Sequence, residues 1–132
     1  MRILKSIFSA VGKRRDPQVT RVDVSGSGFV VRQDDGISEA VDWTEVEFVY
    51  TYKVDCYTID MIWLVFGVAG RHEIHIREET EGFESLMSAV NKAFPNMDQE
   101  WYLKVMQPPF AENLTLLYRR SEAEQIVGRE PR

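Results

Sequence analysis

The fold is decided by residues 43–66, whose sequence is WTEVEFVYTYKVDCYTIDMIWLVF. In its first half, Val46, Phe48, Tyr50 and Tyr52 alternate with residues 47, 49, 51 and 53, and this pattern predicts a β-strand with one buried face. In its second half, residues 61–66 are apolar without alternation, which predicts a central strand covered on both faces. The residues between the two halves, 55–60, are predicted to form a loop.

Upstream of this segment, shorter strand patterns are separated by turn residues. Val22 and Val24 alternate with charged residues, and Phe29 and Val31 share one face of a second predicted strand. Gly36 can supply the positive φ that a tight hairpin requires. Residues 37–43 are therefore predicted to form the hairpin partner of the second strand.

Downstream, the apolar spacing changes to that of helices. A short strand with Ile74 and Ile76 facing inward is followed by a one-faced helix predicted over residues 83–94, which Pro95 terminates. Residues 101–106 predict a second helix, and residues 113–118 predict a last strand.

Together these patterns predict an α+β fold. We expect a strongly bent, mainly antiparallel sheet of about six or seven strands, packed by one long and one short helix. Residues 1–18 are predicted to be a basic amphipathic N-terminal segment, residues 19–119 a single α+β domain, and residues 120–132 a polar C-terminal tail.

Composition and charge narrow the classes of function. The 132-residue chain has a formal net charge of −5, and because residues 1–21 carry +5, the rest carries −10. An acidic body repels phosphate, so no nucleic-acid binding is predicted. A single cysteine, Cys56, excludes an internal disulfide and indicates a reducing compartment. No apolar run reaches the ~20 residues of a membrane span, and no export signal is recognised, so a cytoplasmic location is expected.

No residue combination predicts catalysis. His72, Glu73 and His75 differ from a metalloprotease helix because the histidines are three apart in a strand pattern. Cys56 has no histidine placed beside it that would activate a thiolate. We therefore predict no catalytic, cofactor-binding or metal-binding residues, no cofactor, and no enzymatic activity.

The tryptophans could line a ligand pocket, but their spacing favours core packing. They are Trp43, Trp63 and Trp101. Trp63 lies in the predicted central strand, so Trp63→Ala is expected to cost about 3 to 5 kcal/mol of folding free energy.

The N-terminal segment combines an apolar stripe with a cluster of basic residues, which a purely structural helix does not need. Apolar residues recur at helical spacing at positions 3, 4, 7, 8 and 11, and basic residues surround them. The candidate docking residues are Arg2, Lys5, Ile7, Phe8, Lys13, Arg14 and Arg15. Such a segment could dock on an anionic membrane surface, on a partner or on its own acidic body, or it could be a disordered tail.

Over residues 22–94, the order of motifs resembles an uncharacterised bacterial family of small α+β proteins. The matching positions are Val22, Val24, residues 28–32, Asp35 and Gly36, residues 43–46, Asp60, residues 62–67 and residues 82–86. These motifs describe core and turns, so the resemblance implies no activity and no site residues. At the level of the fold, successive hairpins closed by one helix also look like a pleckstrin-homology-like half-barrel. A typical domain of that kind ends with its helix, whereas this chain continues with the helix and strand predicted within residues 101–118.

The function predicted from these observations is that of a non-catalytic intracellular binding module that recognises a protein partner by its surface or by an exposed strand edge. One alternative is an immunity or antitoxin-type protein that neutralises a basic toxin through its acidic face. Another is a membrane-surface accessory protein that docks through residues 1–15. An enzyme would need a concave site that gathers His72 or His75, Cys56 and carboxylates.

Overall fold

The computed structural model describes residues 17–55, 59–107 and 113–120. Within these ranges the chain forms an α+β fold, as predicted, with seven strands and two helices. The strands are β1 (Val19–Val24), β2 (Gly28–Gln33), β3 (Ser38–Asp42), β4 (Val46–Asp55), β5 (Asp60–Val68), β6 (Ile74–Arg77) and β7 (Asn113–Arg119). The helices are α1 (Phe83–Ala93) and α2 (Trp101–Val105), and one 3-10 turn covers Trp43–Glu45.

The strands form two antiparallel sheets where one bent sheet was predicted. The first sheet has the order β1-β2-β3 and the second the order β6-β5-β4-β7. The 3-10 turn between β3 and β4 separates them. Asp42 caps this turn by accepting from the backbone N–H of Thr44 at 3.0 Å, and the side chain of Glu45 accepts from the N–H of Asp42 at 3.0 Å. Because the chain changes direction here, β3 and β4 belong to different sheets.

A single main core lies between the first sheet, one face of the second sheet and both helices. Phe29 of the first sheet contacts Phe66 of the second, with ring centroids 4.8 Å apart. Helix α1 contributes Phe83, Leu86 and Val90, which is the face that its spacing predicted. The strand predicted to be central, β5, does lie between β4 and β6.

A β-bulge near the start of β4 determines which side chains enter this core. Val46 pairs with Val68, whereas Phe48 pairs with Gly67, so Glu47 is an extra residue between the two pairs. The ring of Phe48 lies so close over Gly67 that a Cβ atom there would be 2.1 Å from it. Glycine is therefore required at position 67 while this ring stays in place.

The bulge corrects the predicted common face of Val46, Phe48, Tyr50 and Tyr52. Val46 and Val49 are buried in the main core, while the three aromatic residues lie on the opposite face of the second sheet. An extra residue in a strand moves every later side chain to the other face, so alternation read across it assigns the wrong side. We call the face that carries Tyr50 and Tyr52 the outer face, and the face toward the main core the inner face.

The inner face of β4 also carries a buried lysine. Lys53, whose side chain is 0% exposed, lies 3.7 Å from Asp60 Oδ2. Its Nζ donates to the backbone carbonyl of Met106 at 2.9 Å. Met106 follows the last turn of α2, where carbonyls lack an intrahelical donor. Lys53 therefore fastens the end of α2 to the second sheet.

Candidate functional site

The sequence-predicted docking residues cannot be placed on this fold. Arg2, Lys5, Ile7, Phe8, Lys13, Arg14 and Arg15 lie outside the described residues. Cys56 does too. The functional candidates that the structure does place are the outer face, a groove beside the helices, and the edge strand β7.

The outer face carries a layer of aromatic rings together with the aliphatic residues Val54 and Val65. Tyr52 stacks on Trp63 with ring centroids 5.8 Å apart, and Phe48 stacks on Tyr50 at 5.7 Å. Val65 pairs with Tyr50 across the strands and is 0% exposed. The sequence analysis assigned these aromatic residues to the core. That they form a separate cluster follows from the bulge in β4, which alternation does not reveal.

Polar groups from β6 and the residue before it complete this layer. The hydroxyl of Tyr50 donates to Glu73 Oε1 at 2.9 Å. His75 lies with Nε2 3.3 Å from the same carboxylate oxygen and with Nδ1 3.4 Å from the hydroxyl of Tyr52. Since a carboxylate only accepts, the neutral imidazole that fits carries its proton on Nε2 and accepts from Tyr52 at Nδ1.

The environment favours the uncharged forms of His75 and Tyr52. Burial lowers the pKa of His75 below its usual value, although the nearby Glu73 carboxylate raises it in opposition. Burial raises the pKa of Tyr52, and the negative charge of Glu73 adds to the increase. A tyrosine held in its protonated form is a hydrogen-bonding group and a poor nucleophile or base. For Tyr52, hydrogen bonding is therefore the chemistry that this environment favours.

The two histidines have separate surroundings. His72 is exposed, with Nε2 3.3 Å from Glu39 Oε1. His75 belongs to the tyrosine layer. In the described part of the chain, no group of three His, Cys, Asp or Glu side chains is arranged to hold a metal ion.

A groove of about 450 Å³ runs beside α1 and α2. Tyr102 donates its hydroxyl to Glu78 Oε2 at 2.7 Å, and the backbone N–H of Ile62 donates to Glu78 Oε1 at 3.2 Å. Burial, reinforced by Glu78, raises the pKa of Tyr102 to about 12. Both oxygens of Glu78 are thus engaged by donors of the chain itself, which leaves little carboxylate capacity for a ligand.

Of the strands that the structure describes, β7 is the last in the second sheet. Among the described strands, its hydrogen-bonded neighbour is β4. Leu114 and Leu116 pair with Tyr52 and Tyr50 and so lie on the outer face, where they are 46% and 56% exposed. The sequence predicted this strand, but alternation alone does not show which face of an added edge strand is left open.

Comparisons with family models, with curated proteins and with solved structures found no match to this chain. The resemblance to a bacterial family and the pleckstrin-homology-like likeness therefore stay predictions. Separately, none of the helices in the described ranges is long and apolar enough to cross a bilayer. The candidate function rests on the geometry of the surfaces.

Proposed function

We propose that this protein is a non-catalytic intracellular binding module that recognises an extended segment of a protein partner at the edge strand β7. The observation that carries the proposal is the exposure of Leu114 and Leu116 at alternate positions of that strand. Proteins commonly protect their edge strands with charged side chains, proline or a covering element. Two half-exposed leucines at an edge are instead typical of a surface that another strand covers.

The edge also indicates what the partner segment contains. A strand that adds to β7 would contribute backbone hydrogen bonds, and its alternate side chains would fall on the outer face. Apolar residues in those positions would cover Leu114 and Leu116. Arg119, exposed at the end of β7, favours an acidic residue on the partner near that end.

A pleckstrin-homology-like arrangement is the finer fold that we propose for this module. In its support, two antiparallel sheets pack face to face around a core, and α1 follows the last hairpin strand of the second sheet. Helix α2 and β7 then extend that arrangement and create the proposed binding edge. The inference from such a fold to partner recognition is an analogy, so the test addresses the edge directly.

The first experiment is site-specific photo-cross-linking in the cells that produce the protein. A photoreactive amino acid replaces Leu116 in one variant and Ile37 in a control variant. Ile37 is 60% exposed next to the β2–β3 turn of the other sheet, so the control has a matched exposed aliphatic position. We expect one protein to be cross-linked from position 116 and not from position 37.

The second experiment measures the purified partner against the full chain. Leu116→Lys should weaken binding by roughly 10- to 100-fold, as truncating a central interface residue does, while Ile37→Lys leaves affinity unchanged. Equal affinities for the two variants would contradict recognition at β7. A partner whose affinity depends instead on acidic residues of the groove, such as Glu84, would favour the immunity-type alternative.

A further inference from the structure

The groove beside α1 and α2 has an apolar floor. Its volume of about 450 Å³ lies within the range of small-molecule sites in proteins. Phe83 and Trp101 line it and are 4% and 2% exposed, because both belong to the main core. The half-buried side chain of Met87 lines it as well. A ligand in the groove would therefore lie against apolar groups over part of its length.

One wall of the groove is a stripe of α1 whose members follow helical spacing and so share one side of the helix. They are Glu84, Met87, Ser88 and Asn91. Residues 99, 101 and 102 form the opposite wall. The walls are joined where Asn91 Oδ1 accepts from Trp101 Nε1 at 3.2 Å. Glu84 and Asn91 are separated by about 10 Å along the helix at 1.5 Å per residue, which sets the length of the groove.

The end of the groove near Tyr102 is negatively charged. The Tyr102 hydroxyl donates to Glu78 Oε2 at 2.7 Å. Burial is the main reason that the pKa of Tyr102 rises to about 12, and the negative charges of Glu78 and Glu84 add to the increase. Both carboxylates therefore act at the same hydroxyl. Among the described residues that line the groove, none is a lysine, an arginine or a histidine.

We propose that this groove binds a small organic cation, whose ammonium or guanidinium group lies at Glu84 and whose apolar body lies along Met87 toward Trp101. Glu78 accepts from two neutral donors, the Tyr102 hydroxyl and the N–H of Ile62, so it contributes its negative charge. The exposed Glu84 supplies the oxygens that contact the cation. The N-terminus of α1 opposes this with roughly half a positive charge, which two carboxylates exceed.

The groove is separate from the surface on which the proposed function depends. No residue of β7 is among the described residues that line it. The Leu116→Lys variant, which should lose the protein partner, should therefore bind the cation as the unchanged chain does. Either proposal can fail while the other stands.

The test is an NMR titration of the full-length, ¹⁵N-labelled protein with 2-phenylethylamine, which carries a primary ammonium group on an apolar body. The indole N–H of Trp101 lies at the groove and reports on its occupancy. The indole signals of Trp43 and Trp63, which are not lining residues, serve as internal references. We expect saturable shifts of the Trp101 indole and of the amides of residues 84–91. A probe of about nine non-hydrogen atoms should bind with a Kd of about 1 mM.

A second probe and two variants separate the role of charge from that of the apolar floor. 2-Phenylethanol has the same apolar body without the charge and should bind roughly 5- to 10-fold more weakly. Glu84→Gln should weaken binding of 2-phenylethylamine by roughly 3- to 5-fold, as expected for an exposed ion pair, and leave binding of 2-phenylethanol unchanged. The control is Glu79→Gln, which removes the same charge from an exposed residue that does not line the groove and should leave both affinities unchanged.

Three results would overturn the proposal. One is the absence of saturable shifts at the Trp101 indole with 2-phenylethylamine. Another is equal affinity for the amine and the alcohol, which would show that the carboxylates do not select a cation. The third is an equal effect of Glu84→Gln and Glu79→Gln, which would assign the preference to the overall charge of the protein.

Discussion

The inner and outer faces of the second sheet are made from the same strands but packed by different chemistry. On the inner face, Val49, Leu64 and Phe66 are fully buried in an apolar core that both helices and the first sheet complete. On the outer face, Tyr52 and Trp63 form a ring layer joined to β6 by hydroxyl and imidazole hydrogen bonds. The inner face is thus a purely apolar core at these positions, whereas the outer face combines aromatic packing with polar contacts.

Buried side chains on the two faces of this sheet are therefore held in place by different interactions. A side chain of the inner face is fixed by close packing on all sides, so its truncation leaves a cavity. A side chain of the outer face is fixed partly by directional hydrogen bonds, whose net contribution is smaller. Substitutions that are matched across the sheet should therefore separate clearly in their effect on stability.

The largest effect is expected on the inner face. Phe66→Ala should lower the free energy of unfolding by about 3 to 5 kcal/mol, because Phe66 is 0% exposed and packs on Phe29. For Trp63→Ala, the sequence analysis predicted a cost in the same range. Because Trp63 is only half-buried, on the outer face, the structure predicts a cost of about 1 to 2 kcal/mol. Urea denaturation of both variants measures this, and equal costs would erase the distinction between the faces.

The buried lysine of the inner face should have the next largest effect. Lys53→Met removes the ammonium group that lies beside Asp60 and donates to the carbonyl of Met106, and it should cost about 2 to 4 kcal/mol. The control is Lys104→Met, which breaks an exposed ion pair with Asp98 and should leave the denaturation midpoint unchanged. If both substitutions have the same small effect, Lys53 does not fasten α2 to the sheet.

On the outer face, removal of single hydroxyls should cost less. Tyr50→Phe should destabilise the protein by about 1 kcal/mol, since this hydroxyl donates to the Glu73 carboxylate at 2.9 Å. Tyr52→Phe should cost about 0.5 kcal/mol, because its hydrogen bond to His75 is long, at 3.4 Å. Thermal unfolding of the two variants gives the order, and the reverse order would show that the hydrogen bonds are assigned wrongly.

The smallest effect is a pH dependence carried by His75. Because burial lowers the pKa of folded His75, the unfolded chain binds a proton more readily as the pH falls through about 6.5, the usual histidine value. Stability should therefore decrease with falling pH below that value and level off once the pH is below the folded pKa. Urea unfolding across this window should show a slope that His75→Gln removes and His72→Gln retains. A slope that survives His75→Gln belongs to another group.

Much of the fold could be predicted because the signals are local. The spacing of Phe83, Leu86 and Val90 defined helix α1 and its buried face, and the unbroken apolar run of residues 61–66 identified β5 as central. Both depend on side chains within a few residues of each other. The 3-10 turn that divides the sheets depends on the cap by Asp42, whose consequence for strand pairing is visible only in three dimensions.

The outer face could not be predicted because one extra residue determines it. The bulge at Glu47 moves Tyr50 and Tyr52 away from the main core, and nothing in the composition of β4 marks its position. The partners of the two tyrosines, Glu73 and His75, are 23 residues away in the sequence. Contacts of that range depend on the register of three strands, which alternation does not determine.

The central claim is that Tyr50 and Tyr52 are buried on the outer face while Leu114 and Leu116 of the edge strand β7 are exposed, and hydroxyl-radical footprinting of the full-length protein tests it most directly. Tyrosine is intrinsically more reactive than leucine toward the radical. Faster oxidation of the leucines than of the tyrosines would therefore show that the tyrosines are buried. The account predicts that Leu114 and Leu116 are oxidised readily while Tyr50 and Tyr52 are protected. Oxidation of the tyrosines as fast as in the urea-unfolded chain, or protection of the two leucines in the isolated protein, would contradict it.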